Sequence, residues 1–392
     1  MKKGDSLKDV KSVVNRVGDK MTKVLYMTTV SRTINAFLVP HIQMLLDEGY
    51  QVDIATCIDK PIDSSLIKNG VKVFNIPLGR NPLHPGNIKA FTKLIQIQKK
   101  EQYEIVHVHT PVASLIGRLL KFRFPKLKTI YTAHGYHFLK GGPKIGWLLY
   151  YPIEKVMAKL TDVTITINQE DYDITVKRLR PKKTYLMNGV GLDLSHYKIL
   201  PEDQNLRKRQ ELGLNQEDFV IMMIAELNEN KNQIQLIKAM ELLKDKYPQI
   251  KALLVGEGHK LAKLQQEVSN RGLNQRIQFL GFRTDINELI NVSNIGVLLS
   301  YREGLPRNLM ELMGCGRKMI GTNIRGCRDI IVDNTVGTIV LVDDEVGLAR
   351  EIEQLYYHRK SEFKLSPHLK SYEVETILGE LKQIYTDMIK EG

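Results

Sequence analysis

Short apolar runs without alternation recur along this chain, each followed by a stretch with helical spacing. In the first half they read "KVLYMTT" (23–29), "QVDIATC" (51–57), "KVFNIP" (72–77), "IVHVHT" (105–110), "KTIYTAH" (128–134), "VTITIN" (163–168) and "KTYLMN" (183–188). A strand that is apolar at every position has both faces covered, as in a parallel sheet between two layers of helices. The helical patterns between the runs, such as 87–100 and 144–159, are long enough to serve as crossovers. The pattern pauses at "NGVGLDLSHYKILPEDQN" (188–205). It resumes with "FVIMMIA" (219–225), "IKALLVG" (250–256), "IQFLG" (277–281), "IGVLLS" (295–300), "KMIGTN" (318–323) and "TIVLV" (338–342). The sequence therefore predicts two doubly wound α/β domains, 21–195 and 196–365. A terminal segment, 366–392, carries an amphipathic helix over 372–390. Residues 1–20 are basic, lack an apolar stretch of signal-peptide type, and read as a weakly ordered extension.

At 392 residues the chain exceeds one ordinary core. Residues 1–200 hold 31 Lys and Arg against 16 Asp and Glu, while the remainder holds 26 against 28. The whole excess of positive charge lies in the first half, which suits an anionic surface, either lipid or nucleic acid. Three cysteines without CxxC spacing build neither a disulfide framework nor a zinc site, and fit a reducing cytoplasm. No apolar run approaches the roughly 18 residues of a membrane span.

Open α/β sheets bind ligands at the carboxyl ends of their strands, so those loops carry the candidate chemistry. The loop read after the first strand, "TTVSRTINAF", has no glycine, and the GxGxxG fingerprint is absent. Its Arg32 is a surface arginine able to meet an anion. His107 and His109 of "HVHTP" read as hydrogen-bonded interior histidines rather than metal ligands. "TAHGYHFLKGGPK" (132–144) offers His134, His137 and Lys140 beside glycines that admit close approach. "EDYD" (170–173) holds a DxD triplet, but at a predicted helix start, where acids suit the dipole without any metal. Lys231 in "AELNENKNQ" is placed at a helix start. "GEG" (256–258) and "GFRTD" (281–285) end strands. "REGLPRNLMELMGCGR" (302–317) sets Glu303 and Glu311 around a helix start, predicted over 308–315, where a phosphate would meet backbone donors. Ionised carboxylates only accept hydrogen bonds, so both glutamates call for hydroxyls. Phosphates together with many hydroxyls describe a sugar nucleotide.

The pattern S-x-x-EGLP-x-x-x-x-E, with "NGV", "AELNENKNQ", "GEG" and "FLGF" in order, resembles the family 4 retaining glycosyltransferases of GT-B fold from Met21 onward. "YTAHGYHFLKG", "WLLYYPIEK" and "NIRGCRDII" resemble the subgroup that builds bacterial capsular and extracellular polysaccharides. The resemblance implies two Rossmann-like domains facing across a cleft, with the last helix crossing back to the first domain. It implies a nucleotide-sugar donor, a UDP-sugar, a polyprenyl-phosphate-linked acceptor, and no metal or other cofactor. Glu311 would bind ribose hydroxyls, and Glu303 the donor sugar. Lys231 and the backbone from Gly304 through Leu305, Arg307 and Asn308 would hold the diphosphate. The backbone near Arg283 and Gly256 would meet the base. His134 would contact the donor sugar, with Arg32, His137 and Lys140 on the acceptor side. The protein is expected to sit peripherally on the cytoplasmic membrane face, its basic half on anionic lipid. "GRLLKFRFPKLK" (117–128) and the helix around Trp147 are the candidates for that contact, the alternative being that Trp147 and its neighbours pack within the first domain. Glu226 departs from the family pattern, which has an arginine there, and the usual glycine-rich loop after the first strand is missing. A nucleotide-sugar epimerase of similar architecture, or a nucleic-acid binder using the basic half, are the other classes open at this point. No stacking-aromatic module supports the latter.

Overall fold

The computed structural model describes residues 16–17, 20–79, 81–359 and 365–390. Most of the expected extension, 1–20, lies outside them; Arg16–Val17 runs antiparallel to Lys20–Met21. The chain divides into two compact units. The first holds the chain up to Thr166, Asp171–Met187 and the residues from Leu378, and the second holds Ile167–Glu170 and Asn188–Ile377.

The first unit is built on seven parallel strands: β1 (Lys23–Val30), β2 (Gln51–Cys57), β3 (Val73–Asn75), β4 (Ile105–His109), β5 (Lys128–Ala133), β6 (Val163–Thr166) and β7 (Lys183–Leu186). Their spatial order is β3-β2-β1-β4-β5-β6-β7. In β1 six consecutive residues from Val24 are buried, and β4 is buried throughout, which is why neither alternates in polarity. Leu25, Met27, Val106 and Val108 pack with Leu94 and Leu120 of the covering helices, each such burial contributing roughly 1.5–3 kcal/mol. Arg118, only 1 % exposed, forks onto both oxygens of Glu154 at 2.9 Å and lies over the Tyr131 ring. That pair joins helix Pro111–Arg123 to helix Lys144–Ala158.

The second unit repeats the plan with β8 (Phe219–Ile224), β9 (Ile250–Val255), β10 (Ile277–Gly281), β11 (Ile295–Leu298), β12 (Lys318–Thr322) and β13 (Gly337–Val340). Their order is β10-β9-β8-β11-β12-β13, all parallel. The terminal helix runs Val374–Lys390, beginning two residues later than expected, after a 3-10 turn at Leu369–Tyr372. From Leu378 it belongs to the first unit, where Tyr385 is fully buried, its hydroxyl 2.8 Å from His107 Nδ1, and Lys128 Nζ donates to Met388 O at 2.7 Å.

Candidate active site

In both sheets the strand order reverses beside the first strand of the unit, so successive crossovers leave to opposite faces and open a crevice at the strand ends. In the second unit that point lies between β8 and β11, which pair through Ile221–Ile295 and Met222–Gly296. Their following loops therefore abut. Tyr301 N–H donates to Asn230 O at 2.8 Å, and Asn230 Nδ2 donates to Arg302 O at 2.9 Å. This brings Lys231 and Glu303, 72 positions apart, into an ion pair with Nζ 2.5 Å from Oε1. Lys231 does not begin the helix as expected. It closes a 3-10 turn, Glu229–Lys231, whose N–H is capped by Asn228 at 3.1 Å. Asn232 then turns left-handed at φ +53°, and the helix starts at Gln233.

The Glu303 loop is held from behind. Arg325 Nε donates to Glu303 O at 3.0 Å. Gly326, at φ +77°, lies so close to Gly304 that a Cβ there would meet Gly304 O at 2.4 Å. The helix after the loop runs Arg307–Gly314, one residue earlier at each end than expected, and Pro306 offers no side-chain cap to its first N–H groups. Asn308 Nδ2 donates to Ile224 O at 2.8 Å, fixing the helix start to the end of β8. Leu305, half-buried, packs beside Gly189 of the "NGV" turn.

Glu311 is 8 % exposed and accepts from Arg307 Nε at 3.0 Å. Burial raises its pKa, against the opposing pull of the Arg307 charge and a hydrogen bond from Tyr197. Tyr197, from the linker, is itself pushed up by burial and by the Glu311 carboxylate. Nothing in the sequence pattern pointed to Tyr197, because its partner is 114 positions away. Gly256, at φ +136°, ends β9, and a Cβ there would stand 2.2 Å from Ala225 O. A Cβ on Gly258 would stand as close to Leu227 O. These two glycines thus let the loops after β8 and β9 pack backbone on backbone, whatever else they admit. The Arg283 side chain is engaged by Asp285, at 2.7 Å from Nε, and by Glu211. Glu226 is exposed, and its backbone carbonyl accepts from Gln233 Nε2 at 2.9 Å.

In the first unit the corresponding point lies between β1 and β4, and is closed by a 2.7 Å hydrogen bond between the Thr29 and Thr110 hydroxyls. The stretch expected as a loop after β1 is helical from Ser31. Asp59 accepts there from Ser31 Oγ at 2.9 Å and Arg32 N at 3.1 Å and pairs with the Arg32 side chain. His107 and His109 are wholly buried, His107 bonding Thr132 Oγ1 at 2.8 Å through Nε2. His134 directly follows β5, half-buried, with Nε2 3.0 Å from His109 Nδ1. Loss of hydration, with a smaller effect of His41, pushes its pKa down to about 4. The His137 ring lies against Tyr150, tilted by 30° with centroids 4.7 Å apart, and Lys140 is exposed.

The DxD triplet is structural. Asp171 is fully buried and accepts from Tyr136 N–H at 3.1 Å, and Asp173 pairs with Lys177 one helical turn on. Among the described residues no group of three His, Cys, Asp or Glu side chains is disposed to hold a metal. Nor is any helix among them long and apolar enough to cross a membrane. Trp147 is half-buried: its Nε1 donates to Leu139 O at 3.0 Å and its ring packs on Phe138 and Tyr151.

Two Rossmann-like units with this strand order are the architecture of the GT-B fold. Among solved structures, Anabaena Alr3699/HepE in complex with UDP and glucose matches with a TM-score of 0.76 at 20 % identity over 93 % of this chain and 100 % of that one. Sucrose-phosphate synthase of Thermosynechococcus elongatus gives 0.79 at 17 % over 95 % and 100 %. The description Glycosyl transferase 4-like matches residues 23–169, and Glycosyl transferases group 1 matches 204–370. EpsD of Bacillus subtilis (strain 168), assigned as a glycosyltransferase, is 37 % identical over 86 % of this chain and 87 % of its own. An Escherichia coli UDP-Gal:alpha-D-GlcNAc-diphosphoundecaprenol alpha-1,3-galactosyltransferase is 25 % identical over 88 % and 92 %. The chain belongs to the family 4 glycosyltransferases, of the kind that builds capsules and extracellular polysaccharides.

Proposed function

We propose that this glycosyltransferase moves a sugar from a UDP-sugar to a lipid-linked saccharide with retention of configuration. The observation that carries the reading is the Lys231–Glu303 pair at the strand-order reversal of the second unit, beside the helix start at Arg307. The relatives' names support the two substrates: the Escherichia coli enzyme is named for UDP-Gal and a diphosphoundecaprenol acceptor.

In the free protein the ammonium and the carboxylate satisfy each other. With donor bound, Lys231 turns to the diphosphate together with the N–H groups from Gly304 to Asn308, and Glu303 accepts from sugar hydroxyls. Glu311, kept in place by Arg307 and Tyr197, accepts from the ribose. His134 supplies a neutral hydrogen-bonding group to a substrate hydroxyl. The bond between the anomeric carbon and the diphosphate oxygen breaks, the acceptor oxygen bonds that carbon on the same face, and the acceptor proton passes to the departing diphosphate. The protein's work is to position both substrates and stabilise charge growing on the phosphate.

The acceptor's lipid calls for a seat on the membrane. Helix Lys144–Ala158 exposes Ile145, Leu148 (70 %), Leu149, Ile153 and Val156, with Lys144, Lys155 and the following Lys159 among them. Phe122 is 68 % exposed between Lys121 and Arg123. Apolar residues flanked by lysines suit the interface of an anionic leaflet, here the cytoplasmic face of the cell membrane. In this reading aliphatic residues, not Trp147, make the contact.

The test is a thermal-shift screen against UDP- and GDP-sugars, followed by transfer to a diphosphoundecaprenol-linked saccharide and NMR of the product's anomeric carbon. A UDP-sugar should raise the melting temperature, and the new linkage should keep the donor's configuration. Conversion of the donor without any acceptor would favour an epimerase, and an inverted linkage would overturn the stereochemistry. Pelleting with phosphatidylglycerol vesicles but not phosphatidylcholine vesicles, weakened by Leu148→Glu with Leu149→Glu, tests the membrane seat.

A further inference from the structure

A line of aromatic rings crosses the interior of the first unit to His134. Tyr385 bonds His107, His107 stacks on His109 with centroids 4.3 Å apart, and His109 meets His134 through a 3.0 Å nitrogen–nitrogen contact. One nitrogen in this line has no partner: His109 Nε2 is buried without a hydrogen bond among the described residues. A neutral imidazole carries one proton, and the two nitrogens then differ, one donating and one accepting. A buried N–H left without an acceptor is rarer in folded proteins than an under-used acceptor, so the proton of His109 belongs on Nδ1. His134 Nε2 must then accept, and a neutral His134 keeps its proton on Nδ1.

We propose that His109 is a positioning residue that fixes the tautomer of His134, making His134 Nδ1–H a hydrogen-bond donor to substrate. The donor is pre-set because the other ring nitrogen is already occupied. No protein acceptor among the described residues takes the Nδ1 proton. Burial holds both rings neutral, His109 well below the ordinary histidine range, with smaller contributions from His41 at both rings and from His107 and His134 at His109. With no carboxylate among the described residues acting on either ring to draw a second proton in, the choice between tautomers is the variable that remains. The inference rests on the role proposed above for His134, since only a ring that meets substrate has a use for a fixed donor.

Two-bond nitrogen–proton NMR of the full chain reads imidazole tautomers directly, with His134→Ala and His109→Asn assigning the signals. The wild type should show His134 protonated on Nδ1. His109→Leu should shift that proton toward Nε2 and lower kcat about tenfold through lost orientation, with the donor KM unchanged. His109→Asn, whose amide Nδ2 stands where Nδ1 was, should restore both. An Nε2-protonated His134 in the wild type overturns the proposal even if the leucine variant does not fold. So does an unchanged tautomer or an unchanged kcat in His109→Leu. Unchanged kcat in His134→Ala as well would sink the role of His134 itself.

Discussion

The two units share a strand order, and in each the order reverses beside its first strand, yet they finish that place differently. In the first unit the Thr29–Thr110 hydrogen bond and the Asp59 carboxylate close it from within. In the second, Lys231 and Glu303 meet there as a charged pair, beside a helix whose first residue has no side-chain cap. One topology therefore gives a closed hydrogen-bonded strand end in one unit and a part-buried charged pair in the other. The difference lies in which residues follow the strands, not in how the strands are arranged.

Charged pairs sharpen the contrast, and the largest effect is expected where the pair is structural. Arg118→Ala leaves Glu154 without its partner and should destabilise the first unit by about 3–5 kcal/mol. Urea unfolding followed by Trp147 fluorescence reads that unit, since Trp147 is the chain's single tryptophan. Arg118→Met with Glu154→Leu should recover most of the loss. If the single change is harmless, the pair is not what joins the two helices.

The second unit should respond the other way round. Lys231→Ala and Glu303→Gln are each expected to cut transfer by about 100-fold or more, while unfolding midpoints move little. Wild-type transfer in both would remove the functional side of the comparison.

Glu311 comes next. Glu311→Gln should weaken UDP binding about tenfold, the effect of one charge-assisted hydrogen bond, measured by calorimetry. Because burial raises its pKa, the folded chain holds the Glu311 proton more tightly than the unfolded chain does. The ionised form is thus a penalty at neutral pH, relieved as the pH falls through the folded pKa. Wild type should gain stability on the glutamine variant between neutral pH and the ordinary glutamate value. The opposite slope would mean that Arg307 outweighs the burial.

The smallest effect is expected at Asp59. Hydrogen bonds from Arg32 and Ser31 overcome burial and hold its pKa at about 2. Its contribution is present above the ordinary aspartate range and lost as the pH falls toward 2. Asp59→Asn should cost about 1 kcal/mol or less, because Arg32 is largely in solvent. Nucleotide affinity should stay within about twofold, as expected of independent sites. A large drop in affinity would show that the first unit's closed strand end is not separate from donor binding.

Much of this was legible in the chain itself. Strands such as β1 and β8 fall within a residue of where their runs place them, because burial on both faces leaves its mark on nearly every residue. The glutamates of the 303–311 segment stood out because two carboxylates beside a helix start need a reason. What escaped were contacts made across the fold. Neither the Tyr197 hydroxyl on Glu311, the Arg325 guanidinium behind Glu303, nor the Asp59 carboxylate at Ser31 has a local signature. Lys231 was displaced from the expected helix start by Asn232, whose left-handed turn only the packed loop reveals. The sequence left Trp147 open between lipid contact and packing in the first domain, and its indole N–H on Leu139 O with the ring against Phe138 and Tyr151 favours packing.

The terminal helix bears on how the chain is made. Tyr385, buried under His107, and the Met388 carbonyl that receives Lys128 are both part of the first unit's interior. A ribosome finishes the strands of that unit some 200 residues before it supplies them. The part of the protein translated first is therefore the part completed last. Until then it must wait with a polar socket open at its centre, and truncation after Ile377 should leave the first unit, not the second, as the target of proteases.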